Sequence, residues 1–185
     1  MNTLPQILTR TLTPPNPPRL LLVETFGRPS AGLTDLFAQL ALRGPFYAIA
    51  GGEWLPTYSL VQALRRHTPN VRQVLERVRL SRPFTCYQVL DLITDIRPER
   101  DPILLLDFLH HFHNSDVQLD VRLRILDQCC RRLERLSLAR TLLVFVQSLD
   151  TDEYRTFYPL VARSADEILQ AAEPDPHPIL QPALM

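Results

Sequence analysis

The stretch GRPSAGLT, Gly27 to Thr34, has the outline of a phosphate cradle. In such a loop two spaced glycines let backbone N–H groups wrap phosphate oxygens. A lysine then reaches the terminal phosphates, and the hydroxyl after it binds magnesium. Gly27, Gly32 and Thr34 supply that frame, but Leu33 stands where the lysine belongs. All 20 basic residues of the chain are arginine. A drift from lysine to arginine would have left arginine at a functional position, so the leucine means that the charge was not retained. If the loop is intact, the side chain at position 33 points to the mouth of the site, where a lysine would be tolerated.

A second chemical element is Ile103–Asp107, ILLLD. An apolar strand ending in aspartate can hold the magnesium water shell opposite the loop hydroxyl. His110, His111 and His113 follow it. Adjacent histidines rarely share one ion and no carboxylate completes a ligand spacing, so a solvated loop is expected there. Cys129 and Cys130 form a vicinal pair, but Cys130 lies on an apolar helical stripe, which favours core filling over reactivity. No nucleophile, base and orienter fall together.

The elements that must position these groups alternate. Strands are expected at Arg19–Thr25, Pro45–Ala50, Val78–Leu80, Ile103–Leu106, Thr141–Gln147 and Glu167–Gln170. Helices are expected at Thr34–Arg43, Pro56–His67, Val71–Arg77, Phe84–Ile96 and Asp152–Ala162. A long helix is expected along the stripe Leu119, Leu123, Leu126, Cys130 and Leu133. Such alternation predicts an α/β fold with helices on both faces of a mostly parallel sheet. It occupies 19–171, between a proline-rich arm at 1–18 and a proline-rich tail at 172–185.

With these elements in order, the chain resembles the RecA-like recombinase family of P-loop NTPases over roughly Arg19 to Gln170. The resemblance is carried by GRPSAGLT, ILLLD, the helix containing RRLERL, the strand TLLVFVQ and the segment AGGEWLPTYSL. It implies a three-layer α/β/α domain with a nucleotide site at Gly27, Gly32, Leu33, Thr34 and Asp107. It also implies a water-activating glutamate before an aromatic-x-proline. With Trp54 and Pro56 in those last places the glutamate's position falls on Gly51, and Glu53 comes two residues late. Both charged catalytic groups are therefore missing, and the expectation is a pseudo-ATPase with no catalytic residue, no required cofactor and at most weak Mg-ATP binding. The resemblance implies a subunit or accessory factor in DNA recombination or repair that forms homo- or hetero-oligomers with RecA-like subunits. It equally admits a weak ATPase completed by a partner's arginine, or an RNA-binding ring subunit like those of Elongator.

The net charge is zero, but charge is unevenly placed. Arg65, Arg66, Arg72, Arg77, Arg79 and Arg82 face one acid, Glu76, in that interval, while Asp150 to Asp175 holds seven acids against Arg155 and Arg163. Arginine binds phosphate with paired hydrogen bonds and stacks on bases, and Tyr58, Phe84 and Tyr87 lie nearby. The run is expected to bind single-stranded DNA or a protein partner, the acidic region of a neighbouring copy among them, or else to be a solvated face. The lack of an ~18-residue apolar run, of a secretory signal and of a disulfide framework points to a cytoplasmic protein that does not enter membranes.

Overall fold

In the computed structural model of the chain, residues 19–26, 31–52, 57–96 and 101–170 are described, residues 31 and 32 through their backbone only. Six parallel strands form one sheet: β1 Leu20–Thr25, β2 Phe46–Ala50, β3 Val78–Ser81, β4 Ile103–Leu106, β5 Leu142–Gln147 and β6 Glu167–Gln170. Their spatial order is β3-β2-β4-β5-β1-β6. The helices are α1 Ala31–Arg43, α2 Thr57–Arg65, α3 Val71–Leu75, α4 Cys86–Asp95, α5 Leu119–Ser137 and α6 Asp152–Ala162. A 3-10 turn, His110–Phe112, separates β4 from α5.

The central strands are near-continuous apolar runs because both faces of the sheet are covered. Leu21, Val23, Leu104, Leu106, Leu143 and Phe145 point to one face and pack with buried residues of α1, α2 and α3. Leu20, Leu22, Ile103, Leu105, Leu142 and Val144 point to the other and pack with α4, α5 and α6. This two-sided burial is the three-layer α/β/α arrangement, and the sheet is entirely parallel among the described residues. Phe37 of α1 meets Phe46 of β2 edge-to-face at 5.7 Å, a preferred aromatic geometry that fixes the helix over the sheet.

Helix starts follow local chemistry. The Thr85 hydroxyl accepts from Gln88 N at 3.2 Å to begin α4, and the Thr151 hydroxyl accepts from Tyr154 N at 3.1 Å to begin α6; each satisfies a backbone donor that the first turn leaves open. Both cysteines of the vicinal pair lie in the α5 core with Ile125, Leu126, Leu133 and Leu136. Leu119, expected on that stripe, is instead 44% exposed at the first position of the helix.

The strand order determines where a site can form. The chain leaves β1 and β2 towards the α1–α3 layer, and leaves β3, β4 and β5 towards the α4–α6 layer. Neighbouring strands whose connections part to opposite faces open a crevice at their carboxyl ends. Such crevices fall between β1 and β5, and on both sides of β2.

Candidate functional site

At the first crevice β1 is buried along its whole length. Where it ends, the Thr25 hydroxyl donates to the Val146 carbonyl at 3.2 Å and Ser148 N donates to the Thr25 carbonyl at 2.8 Å. Glu24 is buried here and accepts from the Tyr154 hydroxyl at 2.8 Å and from Gln170 Nε2 at 3.3 Å. Burial and the adjoining carboxylate push the Tyr154 phenol above its ordinary value, so the proton stays on the phenol and the bond keeps its polarity. Sequence reasoning missed this pair. Its one signal was an acid inside the apolar run RLLLVET.

Gly27 lies outside the described residues. Gly32, Leu33 and Thr34 fall in the first turn of α1. Leu33 does not point to the mouth of the site. It is 9% exposed and belongs to the cluster formed with Leu36, Phe37 and Leu40. The reason is helical spacing: positions 33, 36, 37 and 40 share one face, and that face covers the sheet. Thr34 is equally buried. The position at which the resemblance expects a lysine is part of the core.

The second crevice gathers the ends of β2, β3 and β4. Gly51 N donates to the Leu106 carbonyl at 2.7 Å. A Cβ on Gly51 would fall 2.4 Å from the Asp107 carbonyl oxygen and 3.1 Å from that of Leu106. No side chain fits without moving backbone, so the expected place of the catalytic glutamate is closed by packing. Gly52 has a φ of +57°, and its Cβ would lie 3.0 Å from both Asp107 Oδ2 and His110 Nδ1. Arg82 donates to the Gly52 carbonyl at 2.6 Å, bringing the end of β3 to the same place.

Asp107 has a φ of 48°, the one positive value outside glycine among the described residues. Its buried carboxylate accepts from His110 Nδ1 at 3.2 Å. Burial raises its pKa, while the nearby His110 and His113 charges act in the opposite direction. Relative to β1, Asp107 stands across β5, roughly 9.5 Å away at the usual strand spacing.

The solvated loop expected at the three histidines holds for one of them only. His110 is exposed, but His111 and His113 are half-buried around the inward-facing Phe112. Desolvation lowers the pKa of both His111 and His113; for His113 the Glu153 charge opposes it. The turn is tied down by buried Arg122, which donates to the Phe112 carbonyl and to Glu153 Oε1, each at 2.8 Å. Among the described residues no group of three or more His, Cys, Asp or Glu side chains can hold a metal ion. The cysteines are buried, and desolvation pushes the Cys130 thiol up to about 12, which leaves it unreactive.

The arginine run divides into two parts. Arg65 ends α2, and Arg66 and Arg72 make exposed ion pairs with Asp35 at 3.5 Å and Glu76 at 3.3 Å. Arg77 precedes the edge strand β3, Arg79 lies within it and Arg82 follows it. Arg79 bonds the Tyr47 hydroxyl and sits 4.9 Å over that ring. Tyr58, Phe84 and Tyr87 do not enter the core; they are 76%, 74% and 49% exposed.

The described acids of the acidic region have partners within the chain, although Asp150 and Asp152 stay exposed. Asp150 and Asp152 pair with Arg155, and Glu153 with Arg122. Asp166 accepts from Leu20 N and Glu167 from Arg19.

No helix among the described residues is long and apolar enough to cross a membrane. In comparisons with known proteins, no family model and no curated sequence matches the chain, which leaves its function to be read from this geometry.

Proposed function

We propose that this chain is a non-catalytic, RecA-like pseudo-NTPase that serves as a subunit or accessory factor in DNA recombination or repair and acts by binding. The observation that carries the non-catalytic part is Leu33, buried in the α1 face where a nucleotide-hydrolysing loop needs an extended cation. The closed position at Gly51 supports the same reading, since water activation has no acid there. Hydrolysis without either group loses orders of magnitude in rate.

The binding part rests on the arginines that the sheet edge displays beside exposed aromatic rings. Because the described acids from Asp150 to Glu167 have partners within the chain, nucleic acid suits this edge better than the acidic region of another copy. Association with RecA-like subunits and a cytoplasmic location belong to the same proposal.

Titration calorimetry with Mg-ATP, a phosphate-release assay and mobility shifts with single-stranded DNA test it together. The expected results are a Kd above ~100 μM for Mg-ATP, against the micromolar-to-millimolar range usual for enzyme substrates, no turnover above background, and salt-sensitive DNA retention. Tight nucleotide binding with turnover would overturn the non-catalytic part, and an absence of DNA retention at low salt would overturn the binding part.

A further inference from the structure

We infer that Phe84 and Tyr87, with Arg82 beside them, form a base-stacking platform for single-stranded nucleic acid. The inference rests on the nucleic-acid reading above and specifies where and how the strand is held.

It starts from the sequence RPFTCYQ, which leaves the edge strand β3 and enters α4. The backbone here is fixed twice. The Thr85 hydroxyl accepts from Gln88 N, and Gln88 Oε1 in return accepts from Phe84 N at 2.7 Å. This reciprocal arrangement, close to a capping box, holds the segment from Phe84 to Gln88 in place. The rings that it presents are left in water: Phe84 is 74% exposed and Tyr87 49% exposed, although both have a helix–sheet core beside them. Cys86, between them, turns inward and is buried. The same short segment thus buries its small residue and displays its large ones.

Charge indicates the occupant. From Arg77 to Gln88 there are three arginines and no acid, and all three arginines are exposed. Arg82 is anchored by its bond to the Gly52 carbonyl, which uses one of the five donors of its guanidinium. Asp91, one helical turn beyond Tyr87, is the first acid met along α4. An aromatic pair beside pinned cations matches a strand whose bases stack on rings while its phosphates meet arginine. In duplex DNA the bases are already stacked on each other and cannot use the rings. Among the described residues β3 is the edge strand of the sheet.

Anisotropy of labelled oligothymidine over a salt series tests the platform. Phe84→Ala with Tyr87→Ala should weaken binding roughly tenfold or more per ring. The salt slope should be unchanged, since no phosphate contact is lost. Arg82→Gln should instead flatten the slope by about 0.7. Phe84→Leu with Tyr87→Leu keeps apolar area but removes the π faces, and should be as weak as the alanine pair. Thermal melting of the ring variants should stay close to that of the parent, because Phe84 is mostly and Tyr87 half exposed.

If the parent binds the oligonucleotide and the alanine pair binds equally well, the platform is wrong and the broader nucleic-acid reading survives. Full binding by the leucine pair overturns stacking in favour of a hydrophobic contact. If the parent retains neither single strand nor duplex at low salt, both readings fall.

Discussion

His110 Nδ1 lies 3.2 Å from Asp107 Oδ2, and the two glycines of the neighbouring strand end are what leave room for that bond. The acid that the family resemblance would assign to magnesium is thus engaged by a histidine from its own loop. Backbone strain accompanies the contact, since Asp107 has a positive φ that costs an aspartate on the order of 1 kcal/mol.

A direct expectation concerns Gly51. Gly51→Glu would supply the acid that the proposed RecA-like reading calls for, yet its Cβ would meet the Asp107 carbonyl oxygen at 2.4 Å. The obstacle is backbone, which cannot rotate away as a side-chain tip can. Gly51→Ala should lower stability by roughly 1–3 kcal/mol, as overpacking does, and Gly51→Glu by at least as much. Urea unfolding followed by circular dichroism measures both. A stably folded Gly51→Glu protein that hydrolyses ATP would show that the site is dormant rather than closed.

Leu33 gives a second expectation. Leu33→Lys should destabilise the protein by about 2–5 kcal/mol, combining lost apolar contact with an amine drawn out of water. Leu33→Met keeps the volume and should cost less than about 1.5 kcal/mol. Chemical denaturation of the pair decides. Equal stability of the lysine variant and the parent would mean that α1 opens easily at its first turn.

The fate of Leu33 also shows how far the sequence could be read. Strand–helix alternation placed the six strands to within a residue or two, while the phosphate-loop reading of Gly27–Thr34 falls largely on residues outside the described ones. Motif spacing does not say which way a side chain turns, and at position 33 the helical period overrode the motif. The resemblance marked Gly51 as the place of an acid, but its closure could not be read, because the obstruction is the carbonyl of Asp107, far away in sequence. The histidines read as solvent-facing for a similar reason. Their anchor, Arg122, sits on the next helix, and a polar residue buried through distant partners leaves no local pattern.

A third expectation follows from those histidines. Desolvation lowers the pKa of His111 and His113 below the ordinary 6.5. In the window below that value the unfolded chain binds protons that the folded chain refuses. Their contribution to stability is therefore present above pH 6.5 and is lost as pH falls towards their folded values. Asp107 acts in the opposite sense: its raised pKa makes the folded state bind a proton first, which partly offsets the loss at lower pH. Melting temperature should fall between pH 7 and pH 5.5, and His111→Gln should reduce the slope. A flat profile in both proteins would mean that water reaches these rings.

The final expectation separates the two halves of the arginine run. Arg66 and Arg72 make ion pairs whose side chains are mostly exposed, and Arg65 closes α2 on the same side of the sheet. Exposed pairs of this kind contribute about 0–1 kcal/mol each. Replacing Arg65, Arg66 and Arg72 together with glutamine should therefore leave the melting temperature within a few degrees of the parent. Two of those charges are already opposed by Asp35 and Glu76, so their removal should also change the salt dependence of DNA binding little. Arg77 and Arg82 flank β3, the edge strand among the described residues, and have no carboxylate paired to them there. Their replacement should weaken single-strand binding several-fold at low salt and flatten its dependence on ionic strength, because counterions displaced by each arginine no longer drive association. Mobility shifts of the two variants across a salt series make the comparison. If the triple variant loses binding and the Arg77, Arg82 pair does not, the strand runs along α2 and α3 rather than along the corner held by Arg82.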